Sequence, residues 1–565
     1  MIRSLTPRRR SASPDEGFAL MGVLMLMLVL LLVCSVVVSL VVSGSRFQRK
    51  QQDWNAALAA AQAGIDDYLQ RLNNTDGGYY QYDGTASVDP ANPAMSAPGS
   101  PLTWAPVLQS DGGSSRASFH YTADTAAYTG AGVPQTGVIT VTSTGKVGTR
   151  TRTLQTQLRR SGFLDNLYFT EYETQDPAQG KNPTTCALKH YYDGRPSNCR
   201  DIQFGNDRLS GPVHSNDTML ICQNVVFTDK VTSATPDQGS GKFYRTTPCG
   251  STNPAPVFQA GVPTQVPVIP VPSTNQTVKQ QTVGSAATQG CLFVGPTTIT
   301  LNKNQMFVHS PWTRTSPRCA LDQWITIPSN GTVYVDDRPA NDSTDVNSWS
   351  TADAAAVQAL CDQQVGDGIT SGNPVGYPLP TESGWAYGCT AGDAFVQELD
   401  GAAANGLTGR LTVATAGNIY VTDNLHYGPT SGILGLIANQ SVWYWHPTDR
   451  TGKNINLPAK QYPAQAAKSQ PLVNPTVSAA MVSLQHSIGT MHYDQGASLG
   501  TLTINGSITQ FYRGVVKQGS AGYDKNYVYD QRLRYDSPPH FLNPTTSRFA
   551  PTLSAELEPR YRVSG

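Results

Sequence analysis

A chain of 565 residues is longer than one ordinary domain of about 100–200 residues, so several folded units are expected. Charged residues make up only 14% of it, against about 25% in an average protein, and its 40 basic and 40 acidic side chains cancel. A neutral chain has no long-range pull on nucleic acid or anionic lipid, which argues against a nucleic-acid partner.

From Phe18 to Val42 the sequence runs without a charge, a proline or an amide side chain. About 20 apolar residues span a bilayer core, and a secretory h-region is shorter at about 7–15, so this run reads as a transmembrane helix. Arg3, Arg8, Arg9 and Arg10 precede it, and Arg46, Arg49 and Lys50 follow it. The positive-inside count therefore favours a cytoplasmic N-terminus only narrowly. Cys34 lies inside the run. The other eight cysteines are Cys186, Cys199, Cys222, Cys249, Cys291, Cys319, Cys361 and Cys389. Their even number, with no C-x-x-C and no histidine cluster, ranks disulfides above a zinc site, and no metal or cofactor is expected. Pairing neighbours would close loops of 13, 27, 28 and 28 residues, although spacing alone leaves the connectivity open. Disulfides put the large C-terminal part outside the cell.

The run is entered through Pro14-Asp15-Glu16-Gly17-Phe18-Ala19-Leu20, a basic leader ending in Gly before an aromatic residue. This resembles the class III signal of type IV prepilins, which implies processing between Gly17 and Phe18. Downstream, Ala57, Ala60, Ala61 and Gly64 recur at helical spacing, with Leu58, Ile65, Leu69 and Leu72 on an apolar stripe. Residues 8–72 resemble the N-terminal region of PilX-like minor pilins and related pseudopilins. That resemblance implies a helix that is half membrane anchor and half filament core, packed among other pilin helices. Gly22, Gly44, Ala57, Ala60, Ala61 and Gly64 would give close approach. Pilins usually carry Glu at the fifth mature position; here it is Gly22, which fits a priming or tip subunit better than a repeating shaft subunit.

Beyond the helix, Arg116–Thr122, Gly137–Thr144 and Gly148–Leu158 read as antiparallel strands, the last two joined at Gly145–Gly148. After Gly162 come many short strands with polar corners, best seen in 207–232, 406–445 and 481–511. These suit an irregular parallel β-helix, with a β-sandwich or jelly roll as the alternative. No period near 20 residues is visible. The Pro-rich 250–275, a helix over 353–364 and a loop over 449–475 interrupt the pattern, and 523–544 reads as a closing cap. Gly211–Asp217, Gly435–Pro447 and this C-terminal run resemble large PilX-like membrane proteins of high-GC Gram-positive bacteria.

The expected fold is therefore α+β and mostly β. Residues 1–17 form a cytoplasmic leader, 18–72 the transmembrane and pilin-like helix, and 73–160 a meander. Residues 161–545 form a disulfide-stabilised β-helix-like ectodomain, followed by a tail over 546–565. Asp336, Asp337, Asn341, Asp342 and Asp345 are oxygen-rich, but their spacing is not that of a calcium loop. Trp443 and Trp445 share one face of a strand, as candidate ligand-facing rings for a surface glycan or as core. Scattered carboxylates and histidines, without a nucleophile motif or phosphate loop, give catalysis no support. Two readings result: a structural minor pilin-like protein at the cell membrane, and a membrane-tethered binder or cleaver of polysaccharide.

Overall fold

The computed structural model describes residues 16–561 apart from 76–77, 98, 109–113, 130–136, 161, 180–181, 240, 250–253, 284–288, 315–318, 340–344, 429–431, 457–469 and 545–547. Helix α1, Glu16–Asn74, is continuous through both halves of the apolar and small-residue pattern. Leu, Val and Met dominate its first half, and of these Leu and Met lose little rotamer freedom in a helix. Ser35, Ser43 and Ser45 turn their hydroxyls back onto carbonyls of the preceding turn, so these three hydroxyls are satisfied within the helix. Among the described residues, α1 is the helix long and apolar enough to cross a membrane.

Strands β1 (Ala105–Leu108), β2 (Ser114–Asp124), β3 (Val138–Val147) and β4 (Arg150–Arg160) form an antiparallel meander on the second half of α1. The β3–β4 turn lies at Gly148-Thr149, later than the sequence signal suggests; Gly148 takes the positive φ of 59° that a tight hairpin demands. Gly145 is instead inside β3. The expected tail is also corrected: Phe549–Leu557 pairs antiparallel with β4 and completes a five-stranded head sheet. Phe549 is buried, with its backbone held at both N–H and C=O by the Asn73 side chain of α1.

Most of the remaining strands wind into a β-helix-like coil of parallel ladders, while Gln305–His309, Trp324–Thr326 and Lys517–Gln518 are added to it antiparallel. In spatial order, one ladder runs Thr264–Gln265, Val231–Ser233, Val213–Ser215, Tyr168–Gln175, Ser498–Arg513, Ala480–Thr490, Ile433–Ala438, Arg410–Thr415, Thr332–Asp336 and Cys291–Val294. Along its inner face Val231, Val213, Tyr168, Ile508, Met481, Leu436, Val413, Val333 and Cys291 sit side by side, all buried. This column is the thin apolar stack that makes each rung depend on the next. Taken in chain order, its members lie as little as 18 residues apart (Val213 to Val231) and as much as 80 (Val333 to Val413). Insertions of such unequal length erase any sequence period.

The spatial order is a permutation of the chain order. The chain enters at Tyr168 in the middle, winds outward to Thr264, returns to the far end at Cys291, and winds back until Ser498–Arg513 pairs with Tyr168–Gln175. At this seam Ala521–Tyr529, expected to cap the domain, is an internal rung between Ser498–Arg513 and Arg208–Ser210. The Pro-rich segment is the return strap. From Ile269, bonded to Asn216, to Asn275, bonded to the Ile437 carbonyl, it crosses four strand spacings. Four spacings of about 4.8 Å make about 19 Å, which six residues of extended polyproline-type chain at about 3.1 Å each match. Its Val278, with Leu542, covers the outward column Tyr334, Ala414, Ile437 and Val482.

All four disulfides join neighbours in sequence: Cys186–Cys199, Cys222–Cys249, Cys291–Cys319 and Cys361–Cys389, with Cα separations of 5.6, 5.3, 5.8 and 5.7 Å. Each fixes the root of an insertion. Cys34 is free and exposed on α1.

Candidate functional site

The small-residue stripe of α1 divides at the head. Ala57, Ala60, Ala61 and Gly64 are buried against the chain's own sheet. A Cβ on Gly145 of β3 would collide with the Ala57 carbonyl and the Ala61 amide, and one on Gly64 would collide with Ser143. The expectation that these four residues pack against other pilin helices is thus corrected: they let α1 approach β3 closely within one chain. Gly22 and Gly44 have open space around them, on a segment whose Leu, Val and Met side chains are exposed. Glu16, Gly17 and Phe18 lie on the first turn of the α1 backbone, and residues 1–15 of the leader lie outside the described residues.

Trp443 and Trp445 are buried, which corrects their candidacy as ligand-facing rings. Phe395, Tyr420 and Trp443 form an outward aromatic ladder over three rungs. The insertion closed by Cys361–Cys389 lays Tyr377 on Phe395 at 4.3 Å, Tyr377 edge-on to Trp445 at 4.7 Å, and Trp385 edge-on to Trp443 at 4.8 Å. Such contacts suit ring quadrupoles and exclude a sugar. Under this lid Glu382 accepts bonds from Tyr387 Oη and the Leu379 amide, and burial pushes its carboxyl up to about 7.

The acidic stretch is dispersed. Asp336 pairs with Lys279, Asp337 accepts the Gly392 amide and Asp345 accepts the Asn347 amide; Asn341 and Asp342 lie outside the described residues. Nor do Ser487, His486 and Asp176 form a nucleophile relay. Ser487 Oγ bonds Asp176 at 3.0 Å, and His486 bonds the same carboxylate at 3.1 Å. A relay would need the hydroxyl on the imidazole.

What Gly211–Asp217 does emerges only in three dimensions. Asn216 bonds the strap through both the N–H and the C=O of Ile269, while its amide also donates to Glu171 at 2.6 Å. His214 meets Asn216 Oδ1 and Thr232 Oγ1. Asp217 accepts the amides of Glu173 and Tyr191 and pairs with Arg195, which also holds Asp201. The motif therefore clips together strap, coil and the Cys186–Cys199 loop. A second buried cluster crosses the seam: Arg513 pairs with Glu173 at 2.8 Å, packs 3.5 Å from the Phe204 ring centre and donates to the Ile202 carbonyl.

Two clefts open nearby. One of about 690 Å³ lies between strap, head and coil, walled by Pro212, Pro267, Val268, Arg534, Tyr535 and Thr552. Another of about 600 Å³ follows the seam, walled by Arg200, Gln203, Lys517, Asp524 and Lys525. Their charged walls are largely matched within the chain, as in Arg534–Asp229 and Lys517–Asp524.

No protein-family model matches the chain, and no curated protein matches it. Among solved structures it is similar to the competence-associated pilin ComZ from Thermus thermophilus, at 12% identity and a TM-score of 0.27, over 89% of this chain and 97% of that one. A likeness with so low a score carries no argument about fold or function.

Proposed function

We propose that the protein is a pilin-like structural subunit, anchored in the membrane by α1 and carrying a large disulfide-stabilised β-rich head to the cell surface. The supporting observation is α1 itself: one rod, bare and apolar over residues 20–42, whose continuation from Ala57 is the core of a five-stranded sheet. Disulfides favour an extracellular position for the head and coil, with the N-terminus in the cytoplasm. A coil larger than the head, fastened to it by the chain's last strand, suits a priming or tip position, as does Gly22. Display for assembly initiation or adhesion is the role such a body would serve, by packing and presentation and not by catalysis.

Mass spectrometry of the mature protein tests the reading. A new N-terminus at Phe18 is expected; a retained Met1 leader would overturn pilin-type processing. Leu28→Arg is expected to lower co-purification with other pilins, because a cation at the centre of packed apolar helices costs about 2.5–3.5 kcal/mol, while the other Leu and Val residues of the run keep α1 in the membrane. Undiminished recovery of that variant in a filament fraction would defeat the helix-packing account.

A further inference from the structure

The chain as a whole is neutral, but its charge is not evenly spread. Just beyond the apolar run α1 exposes Arg46, Arg49 and Lys50. The β3–β4 turn descends toward this level. Arg152 lies over the Trp54 ring, its guanidinium 4.9 Å from the ring centre, and is held by Glu556 through two bonds of 2.6 Å. Gly145, opposite Arg152, meets α1 between Ala57 and Ala61, so Arg150, two residues nearer the turn on the same face of β4 and about 7 Å lower, stands near the level of Trp54, its exposed side chain on the membrane side of the head. The Arg116 guanidinium lies against Gly148 in this turn, and Lys146, on the sheet face away from α1, lies over Trp104 at 5.2 Å. With Arg152 taken by Glu556, the five cations Arg46, Arg49, Lys50, Arg116 and Arg150 mark the membrane-proximal end of the head, with Lys146 just above them. Among the described residues the acids at this end are Asp53, Glu556 and Glu558, and Glu556 is taken by Arg152.

From this collar we infer that the head docks on the anionic phospholipid surface of the membrane that α1 spans. The inference rests on the reading of α1 as a span. With the apolar run ending at Val42, Arg46 stands about 6 Å and Lys50 about 12 Å beyond the hydrocarbon edge at about 1.5 Å per residue. The headgroup layer is about 5–7 Å deep, and charges act across about 10 Å at moderate salt, so Arg46, Arg49 and Lys50 lie within reach of lipid phosphates, and Arg150, about 7 Å further out, extends its long side chain toward them. Overall neutrality excludes long-range attraction but not this contact, because α1 itself holds the collar at the surface.

The test uses the full chain with Cys34→Ser, so that Thr149→Cys at the exposed turn is the only free thiol, labelled with a fluorophore. The chain is reconstituted into phosphatidylcholine vesicles and into vesicles with about 30 mol% phosphatidylglycerol, each containing a headgroup quencher. Quenching is expected to rise at least about twofold in the anionic vesicles and to fall back in about 1 M salt, where screening extends only about 3 Å. The triple variant Arg116→Gln, Lys146→Gln, Arg150→Gln is expected to lose the rise while remaining resistant to alkaline extraction. Equal quenching in both vesicle types, with the chain retained after extraction, would overturn the collar alone. Loss of the chain from both on extraction would overturn the span, and the collar with it.

Discussion

The imidazole of His190 lies 3.0 Å from Glu171 and 3.3 Å from Asp193, on the loop that the first disulfide closes. Burial alone would lower its pKa, but the bond to Glu171 and the charges of Asp217, Glu171 and Asp193 raise it above the usual 6.5. A raised folded pKa contributes stability that is complete below the unfolded value of about 6.5 and is lost as pH rises through the folded one. His492 has the opposite sign. It is buried, its backbone sits at a φ of 47°, and burial next to His446 lowers its pKa to about 4. Its contribution is present above about 6.5 and is lost as pH falls toward 4. Two variants separate the effects. His190→Gln is expected to cost about 1–2 kcal/mol at pH 5.5 and less at pH 8.5, read as the shift in denaturant midpoint. His492→Asn keeps a residue tolerant of positive φ and removes the titration, so the acid limb of the stability curve should flatten by up to about 3 kcal/mol near pH 4. Parallel curves for wild type and either variant would contradict the assignment.

Close approach of α1 to β3 depends on Gly145, since any Cβ there meets helix backbone that cannot rotate away. Gly145→Ala is expected to lower stability by about 1–3 kcal/mol through overpacking, seen as a lower unfolding temperature of the head. An unchanged melt would mean that the helix and sheet are not in contact at that level. The same contact shows what was legible beforehand. The apolar run and the hairpin pattern declare themselves locally, and α1 and β2–β4 lie close to where the sequence reading places them. Neighbouring cysteines in short loops also proved to be partners, although spacing left that open. A stripe of small residues, by contrast, promises close packing without naming the partner, so Ala57, Ala60, Ala61 and Gly64 suit another helix as well as their own sheet. Trp443 and Trp445 show the same gap. Their strand face is visible in the sequence, but the lid that covers it comes from residues 375–387. Parallel pairing is non-local, and nothing near Tyr168 announces that its neighbour is Ile508.

At the scale of the whole chain, permutation ties the two ends together. Residues 168–265 and 291–529 form two runs of the coil whose strands, among the described residues, meet at the seam, where Tyr168–Gln175 pairs with Ser498–Arg513 and Arg208–Ser210 with Ala521–Tyr529. The head is tied in as well, because its outer strand is supplied by Phe549–Leu557 after the entire coil has been made. A chain ending at residue 545 therefore leaves β4 as an open edge, frees Arg152 of Glu556 and uncovers the slot that Phe549 fills beside Tyr128. Hydrogen exchange should report this selectively: amides of β4 lose protection, while the disulfide-closed coil keeps most of its own. Phe549→Ala reproduces the loss in the full chain and is expected to cost about 3–5 kcal/mol, as for other buried phenylalanines. If β4 stayed protected in both variants, the head would be complete without its last strand. The coil would then be a separable appendage and not a body threaded into the sheet that holds the anchor.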